Sequence, residues 1–236
     1  MKTDASGHAL TLPREPRRIV SLVPSITETL FALGLGDAIA GVTAYCVEPR
    51  DAVRGKPKVG GQKDPKLDVI RGLAPDLVVA NLEENLEAHV SQLRAWGVPV
   101  WVTYPRTVEQ GIAMIRELGE LTGTRARAAE LAGEIDAQLA DTRARTAARG
   151  VTDVFYPIWR GPYMTVGGDT YIHDMLALCG GRNVFGGRSE RYPVVSLGDV
   201  AAARPAVILL PDEPFRFRRI HLQDFAAYPD IPAVRE

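Results

Sequence analysis

The sequence has little cysteine, no excess of charge of either sign and no long apolar run. Two of its 236 residues are cysteines, and 28 lysines and arginines balance 29 aspartates and glutamates. Two cysteines are too few for a disulfide-dense scaffold, and a near-neutral charge gives no sign of the clustered basic surface typical of nucleic-acid binders. No stretch approaches the ~18 consecutive apolar residues that a membrane-spanning helix needs. The length allows one large domain or two small lobes.

Residues 1–16 do not resemble a secretory signal. They are polar, contain prolines and lack both the apolar segment and the small-residue cleavage site of such signals. From the sequence alone, we therefore expect either a protein that stays inside the cell or a sequence that begins after its signal.

The common catalytic motifs are missing as well. The sequence has no Walker A loop, no GxGxxG after a strand, no GxSxG elbow and no HExxH. His8, His89, His173 and His221 are scattered without zinc-ligand spacing, and no Cys-x-x-Cys is present. We therefore expect no catalytic residue, no directly bound metal and no resident cofactor, and we expect Cys179 to be a buried helix thiol.

Short apolar segments alternate with helical patterns along the chain. Leu77–Ala80 and Ala206–Leu210 are continuously apolar, as are strands buried on both faces of a parallel sheet. This alternation predicts an α/β fold with parallel strand pairing. The predicted strands are 17–22, 38–43, 77–80, 98–103, 151–158 and 206–210, and the predicted helices are 26–33, 64–73, 87–96, 107–121, 125–149 and 170–178.

The segment Arg125–Arg149 predicts one long helix. It is rich in Ala, Leu, Glu and Arg, and Gly133 is its only glycine or proline. At 1.5 Å per residue it extends roughly 37 Å, enough for a strut between two lobes. We therefore predict an N-terminal α/β lobe over residues 17–124, a linking helix over 125–149 and a C-terminal α/β lobe over 150–236.

Polar and aromatic side chains follow the predicted strands. In open parallel sheets ligands bind beyond the carboxyl ends of the strands, and flat apolar groups mixed with a few charges suit a bulky, partly polar small molecule. Structural explanations remain open: Ser25 would cap the next helix, and Glu83 and Glu84 would be a solvated charge run. The candidate ligand contacts are Pro24, Ser25, Tyr45, Cys46, Glu83, Glu84, Asn85, Arg106, Trp159, Arg160, Tyr163 and Phe215, with Phe217 nearby.

Three segments carry a resemblance to a known family. RIVSLVPSITETLFALGLGDAIAGVT and KVGGQKDPKLDVIRGLAPDLVVA precede the long helix, and TYIHDMLALCGGRNVF follows it. In this order they resemble the substrate-binding proteins of ABC importers for vitamin B12 and iron-siderophore complexes. The resemblance implies two α/β lobes joined by one rigid helix, and capture of a cobalamin, ferric siderophore or haem in the cleft between the lobes.

The resemblance also implies a partner and a compartment. Its members deliver their ligand to a membrane permease and do no chemistry on it, so we expect a periplasmic or cell-surface protein that meets the membrane only through that permease. It places Pro24, Ser25, Tyr45 and residues 83–85 on the first-lobe wall of the cleft, and residues 159–163 on the second. One acidic residue per lobe docks onto permease arginines in this family, and Glu87 matches the first-lobe position.

The sequence departs from the family pattern in three respects. It has no signal peptide or lipobox cysteine, and Cys46 with Glu83-Glu84-Asn85 differs from a standard B12 binder. Its last residues follow soon after the predicted strand 206–210, so we expect the second lobe to be C-terminally truncated.

Two other functions remain open from the sequence. The lack of a signal peptide favours a cytoplasmic ligand sensor on the same scaffold. A metal-cluster enzyme with paired α/β lobes is a further alternative, although two cysteines in separate lobes cannot hold a four-cysteine cluster. Cys46, as a soft thiolate, is the one residue that could reach the metal of a bound chelate.

Overall fold

A computed structural model describes residues 2–235, and the chain forms two compact units. Unit 1 runs from the first described residue to Pro105 and from Ile112 to Ile135, and unit 2 comprises Arg106–Gly111 and the chain from Asp136 onward. No helix among the described residues is both long enough and apolar enough to cross a bilayer.

The strands and helices alternate along most of the chain. Those preceding residue 105 are β1 Lys2–Thr3, β2 Ala9–Leu10, β3 Ile19–Ser21, α1 Pro24–Ala32, β4 Ile39–Val42, α2 Arg50–Arg54, α3 Leu67–Gly72, β5 Leu77–Asn81, α4 Glu87–Ala95 and β6 Val100–Thr103. Two long helices follow, α5 Val108–Leu121 and α6 Arg125–Ala147. The remainder are β7 Thr152–Phe155, β8 Pro157–Trp159, β9 Tyr163–Thr165, α7 Tyr171–Leu178, β10 Gly181–Asn183, β11 Val194–Val195, α8 Leu197–Ala203, β12 Val207–Ile208 and α9 Pro232–Arg235, with 3-10 turns at Gly36–Ala38 and Arg219–Phe225.

The main sheet of unit 1 is parallel, with strand order β4-β3-β5-β6. Val78 of β5 lies opposite Val20 of β3 on one side and Val100 of β6 on the other. Helices cover both faces, so apolar side chains that alternate along β5 enter two different buried clusters. This double burial explains the continuously apolar run that predicted the strand.

A short N-terminal hairpin, which the sequence did not predict, covers the edge of this sheet. Asp4, in the turn between β1 and β2, accepts hydrogen bonds from the backbone N–H of Val102 (3.0 Å) and from the Arg94 guanidinium (2.6 Å). Burial raises the pKa of Asp4, but hydrogen bonds from Ser6, His8 and Val102 outweigh it and hold that pKa below its ordinary value. The hairpin therefore occupies backbone groups of edge strand β6 that another chain could otherwise pair with.

Unit 2 differs from the expected single parallel sheet. Strands β10, β7 and β12 pair in parallel, but β11, β9 and β8 form a second, antiparallel sheet. The predicted strand 151–158 is wrong as one element, because the chain leaves β7 after Phe155 and enters β8 of the other sheet at Pro157, which has no N–H to continue a ladder. The predicted strand 206–210 shortens to Val207–Ile208, a half-buried strand at the edge of its sheet.

The long helix begins at Arg125, as the sequence predicts, and ends at Ala147, two residues before Arg149. The division between the units falls within α6, between Ile135 and Asp136, and also within α5, between Gly111 and Ile112. The predicted boundaries of two lobes and a linking helix stay a prediction.

Candidate functional site

In unit 1, the loops after the parallel strands meet at one edge of the sheet, and two asparagines hold them. Asn85 accepts from the backbone N–H of Asn81 at 2.9 Å and donates through Nδ2 to the carbonyl oxygen of Gln62 at 3.0 Å and, more weakly, to that of Leu22 at 3.5 Å. Asn81 in turn accepts from the backbone N–H of Glu83 at 2.9 Å. The segments after β3 and β5 and the loop around Gln62 therefore form one hydrogen-bonded frame.

Large side chains of the loops after β4 and β5 are exposed to solvent. Tyr45, 62% exposed, and Val47 follow β4, and Leu82 and Leu86 follow β5. Glu83 and Glu84 are half-buried, with their backbone N–H groups held by Asn81, and the Lys63 ammonium donates to the Glu83 carbonyl oxygen at 2.5 Å. The backbone of the glutamate pair is therefore held in place, while a ligand contact and a solvated charge run both stay predictions for the carboxylates.

Two predicted contacts in unit 1 are buried. Cys46 is fully buried, and its Sγ lies 3.1 Å from the hydroxyl oxygens of both Thr27 and Thr43. Asn85 is 5% exposed, and its amide is used by the frame. We therefore retain Asn85 as a residue that positions the loops, and we do not carry a direct ligand contact of Cys46 into the proposed site.

The N-terminus of α1 corrects the role expected for Ser25. The helix starts at Pro24, its N-cap is Val23, and no side chain caps it. Ser25 is the second residue of the helix and is exposed, while the half-buried Pro24 fixes the first turn. The Ser25 hydroxyl is thus not engaged in capping.

Cys179 is the exposed thiol, contrary to the expectation that it is buried in a helix. It follows the last residue of α7, and Gly180, at a φ of +78°, ends the helix as the sequence predicts.

Arg106 belongs to unit 2, where it joins a charge cluster. Its Nη1 donates to the carboxylate of Asp169 at 2.8 Å, and Arg191 donates to the same carboxylate at 3.1 Å. The Arg191 guanidinium also lies over the ring of Tyr192, at 5.6 Å from the ring centroid. Asp169 therefore joins the two guanidinium groups, one of which lies over an aromatic ring.

The second predicted wall is a cluster of aromatic rings in unit 2. Trp159, 43% exposed, packs edge-to-face on Phe215 at 5.7 Å between ring centroids, and Phe215 packs on Phe217 at 4.7 Å. Tyr163 stacks on Phe217 at 6.3 Å and contacts Phe225 at 5.9 Å. We call these five residues the aromatic wall: Trp159 and Phe215 are its outer rings, and the other three belong to the buried core of the unit.

Asp224 holds two residues of this segment, Arg160 and Tyr163, by hydrogen bonds. Its carboxylate accepts two hydrogen bonds from the Arg160 guanidinium, at 2.5 and 2.9 Å, and one from the Tyr163 hydroxyl at 2.6 Å. The hydrogen bonds from Arg160 and then Tyr163 lower the pKa of Asp224 to about 2. Burial, with the Asp224 charge, raises the pKa of Tyr163, so the phenol stays protonated at neutral pH.

His221 packs against this wall and has its tautomer set by the backbone. Its ring lies 5.4 Å from Phe215 and 5.8 Å from Phe217, and its Nδ1 accepts from the backbone N–H of Arg218 at 2.9 Å. The proton of the neutral ring is therefore on Nε2, which disfavours metal coordination by that nitrogen. No three His, Cys, Asp or Glu residues within 2–235 are grouped as a metal site.

The sequence did not single out several residues that build these surfaces. Asn81 and His221 act through partners within six residues, whereas Asp169 and Asp224 act through distant ones, and Asp224 lies 61 residues from Tyr163. A local signal existed only around residues 215–221, where aromatic residues recur as FRFRRIH.

Two surface grooves lie away from these loops. One, on unit 1, has a volume of about 750 Å³ and is lined by Phe31, Ile115, Leu131 and Ile135 with Glu28 and Glu48 among its rim. The other, on unit 2, has a volume of about 430 Å³ and is lined by the end of α6 and by α7. Neither groove includes a predicted ligand contact, and we give more weight to the strand-end loops because ligands of parallel sheets bind there.

These features define a two-unit α/β binding protein. The sequence profile described as Periplasmic binding protein matches residues 19–236, and the chain belongs to that family. It is 30% identical over 201 residues to the vitamin B12-binding protein of Vibrio parahaemolyticus, covering 85% of this chain and 73% of that protein.

Solved structures share the fold. The periplasmic vitamin B12-binding protein of Vibrio cholerae is 25% identical with a TM-score of 0.83, covering 94% of this chain and 86% of that one. The periplasmic heme-binding protein of Roseiflexus, in apo form, is 27% identical with a TM-score of 0.82, covering 93% and 86%. These comparisons confirm the expected α/β fold class and the family resemblance.

Proposed function

We propose that this chain is the substrate-binding protein of an ABC importer, and that it captures a metal chelate, such as a corrinoid, a haem or a ferric siderophore, for delivery to a membrane permease. The family to which the chain belongs supports this class of function. Relatives named as vitamin B12-binding or heme-binding support a large metal chelate as the ligand.

The single observation that carries the proposal is the aromatic wall. Its outer rings, Trp159 and Phe215, present apolar surface to solvent, while Asp224 and the core beneath fix the inner rings. Trp159 is 43% exposed and Phe215 is half-buried, so a flat macrocycle laid on these outer rings covers apolar surface that is now in contact with water. A rigid wall loses little entropy on binding, which favours affinity.

Polar groups would orient the ligand. In unit 2, the guanidinium of Arg106 is held by the carboxylate of Asp169. In unit 1, taken by itself, the exposed Tyr45 and the half-buried Glu83 and Glu84 carry groups that can hydrogen-bond to a polar ligand. Arg160 is tied to Asp224, so it contributes to the wall and adds little net charge. This mixture of a large apolar surface with a few fixed polar groups is typical of small-molecule sites.

Delivery would use Glu87. It is the first residue of α4, is exposed, and lies where an acidic side chain is favoured by the helix dipole. We propose it as the docking residue of unit 1 for a basic group on the permease, as the family resemblance implies.

The test is isothermal titration of the purified chain with cyanocobalamin, haemin and a ferric trihydroxamate. We expect micromolar or tighter affinity for at least one of them, and at least a ten-fold loss, about 1.4 kcal/mol, for Trp159→Ala. Trp96→Phe is the matched control, because Trp96 packs under Arg71 in unit 1, away from the wall. Absence of binding across the panel, or equal affinity of Trp159→Ala and wild type, would contradict the proposal.

A further inference from the structure

The loop after β12 continues from the aromatic wall into a segment with two different faces. Phe217 is buried and His221 is half-buried, and both pack towards the wall. The residues between and beside them are exposed. These exposed residues, which we call the basic face, are Arg216, Arg218, Arg219, Ile220 and Leu222.

The three arginines of the basic face form no ion pair with any residue in 2–235. This distinguishes them from Arg160, Arg182 and Arg143 of the same unit, each of which holds a carboxylate. Acidic neighbours are near in sequence: Asp212 and Glu213 precede Phe215, and Asp224 is already neutralised by Arg160. The basic face thus keeps a local positive charge on a chain whose net charge is -1.

The two aliphatic side chains of the basic face are unusually open. Ile220 is 63% exposed and Leu222 is 54% exposed, and they lie within the 3-10 turn Arg219–Phe225 that follows the arginines. Exposed aliphatic groups beside uncompensated cations are the combination found in segments that lie in the headgroup region of anionic membranes. A bound chelate is a poorer fit, because the residues of this stretch that pack on the wall, Phe217 and His221, are not among these side chains.

We propose that the basic face binds the surface of an anionic lipid bilayer, with the arginines at the lipid phosphates and Ile220 and Leu222 inserted among the headgroups. Each cation near such a surface contributes about a five-fold gain in affinity, so three arginines contribute about a hundred-fold. Asp212 and Glu213 reduce this gain, and the association is reversible and weakened by salt. It does not depend on which chelate the protein carries.

The experiment is co-sedimentation of the full chain with vesicles of phosphatidylcholine alone or mixed with phosphatidylglycerol. We expect binding that needs phosphatidylglycerol and falls at high salt. The triple variant R216S/R218S/R219S is expected to lose at least ten-fold in vesicle affinity, I220S/L222S to lose a smaller factor, and R216K/R218K/R219K to retain binding.

The matched control is R14S/R50S/R54S, which removes the same charge from exposed arginines of unit 1. Equal losses of vesicle affinity in the two serine triples would show that only the net charge of the protein matters, and would overturn the proposal. Failure of the wild type to bind the vesicles would overturn it as well. A basic-face variant with unchanged vesicle binding but weaker chelate titration would overturn it in favour of a ligand contact. Thermal unfolding of each variant checks that it is folded. If R216S/R218S/R219S does not fold, retained salt-sensitive binding by R216K/R218K/R219K still tests the role of the positive charge.

Discussion

Unit 1 holds its strand-end loops with amide hydrogen bonds, whereas unit 2 holds its wall with packed aromatic rings and one carboxylate. In unit 1, Asn81 and Asn85 hydrogen-bond the loop after β5 to itself and to the carbonyl groups of Leu22 and Gln62. In unit 2, three of the five wall rings are themselves core residues.

The difference predicts how each surface responds to change. A neutral hydrogen bond contributes about 1 kcal/mol net, and loss of a buried aromatic ring costs about 3–5 kcal/mol. The loops of unit 1 can therefore change in sequence without loss of the sheet beneath them. The wall of unit 2 cannot change its inner rings without loss of core packing, so only Trp159 and Phe215 are free to adapt to a ligand.

The largest expected effect comes from Phe225→Ala. Phe225 is 2% exposed and contacts both Tyr163 and Phe155, so its removal leaves a cavity under the wall. We expect the free energy of unfolding of unit 2 to fall by about 3–5 kcal/mol, measured by hydrogen exchange of unit 2 peptides. Phe215→Ala is the control: it is expected to weaken chelate binding with little loss of protection, and an equal loss in both variants would contradict the division into inner and outer rings.

Asn85→Ala tests the frame of unit 1 and ranks second. It removes the acceptor for the N–H of Asn81 and the donor to the carbonyl of Gln62, leaving two partly buried backbone groups unpaired. We expect a loss of about 1–3 kcal/mol in the stability of unit 1, with increased exchange confined to residues around 22, 62 and 81–85. Glu87→Gln, at an exposed position next to the frame, is the control. If the increased exchange of Asn85→Ala spreads through β3 and β5, the frame is part of the core.

The sequence was sufficient to predict those strands and helices whose residues all favour the same structure. Leu77–Asn81 reads as a buried strand because both faces of a parallel sheet are covered, and Arg125–Ala147 reads as a helix because nearly every residue favours one. Strands β8 and β9 are three residues each, so no periodicity can develop. The start of α8 did carry a signal, since Ser196 and Asp199 form a capping box.

The candidate site was predictable only where a strand end identified it. Tyr45 follows β4, Trp159 ends β8 and Tyr163 begins β9, and these positions together with the residue types predict ligand contacts. Asp224 could not be found in this way, because it is an ordinary acidic residue until the fold brings it to Arg160. Cys46 drew attention as a chemical type, yet the threonines around it make it a structural thiol.

Tyr163→Phe is expected to change the stability of unit 2 the least. It distinguishes the contribution of the Asp224 carboxylate from that of the aromatic rings. Loss of the hydroxyl removes one hydrogen bond to Asp224 and keeps the ring stack, so we expect unit 2 to lose about 1 kcal/mol at neutral pH. The folded-state pKa of Asp224, about 2, is below its ordinary value of 3.8, so its contribution is complete above about pH 4 and is lost as the pH falls towards 2. The variant raises that pKa, and the acid unfolding of unit 2 should therefore begin at a higher pH than in the wild type. Exchange protection of unit 2 peptides between about pH 5 and pH 2 measures this, and an unshifted acid transition would mean that Arg160 alone sets the charge of Asp224.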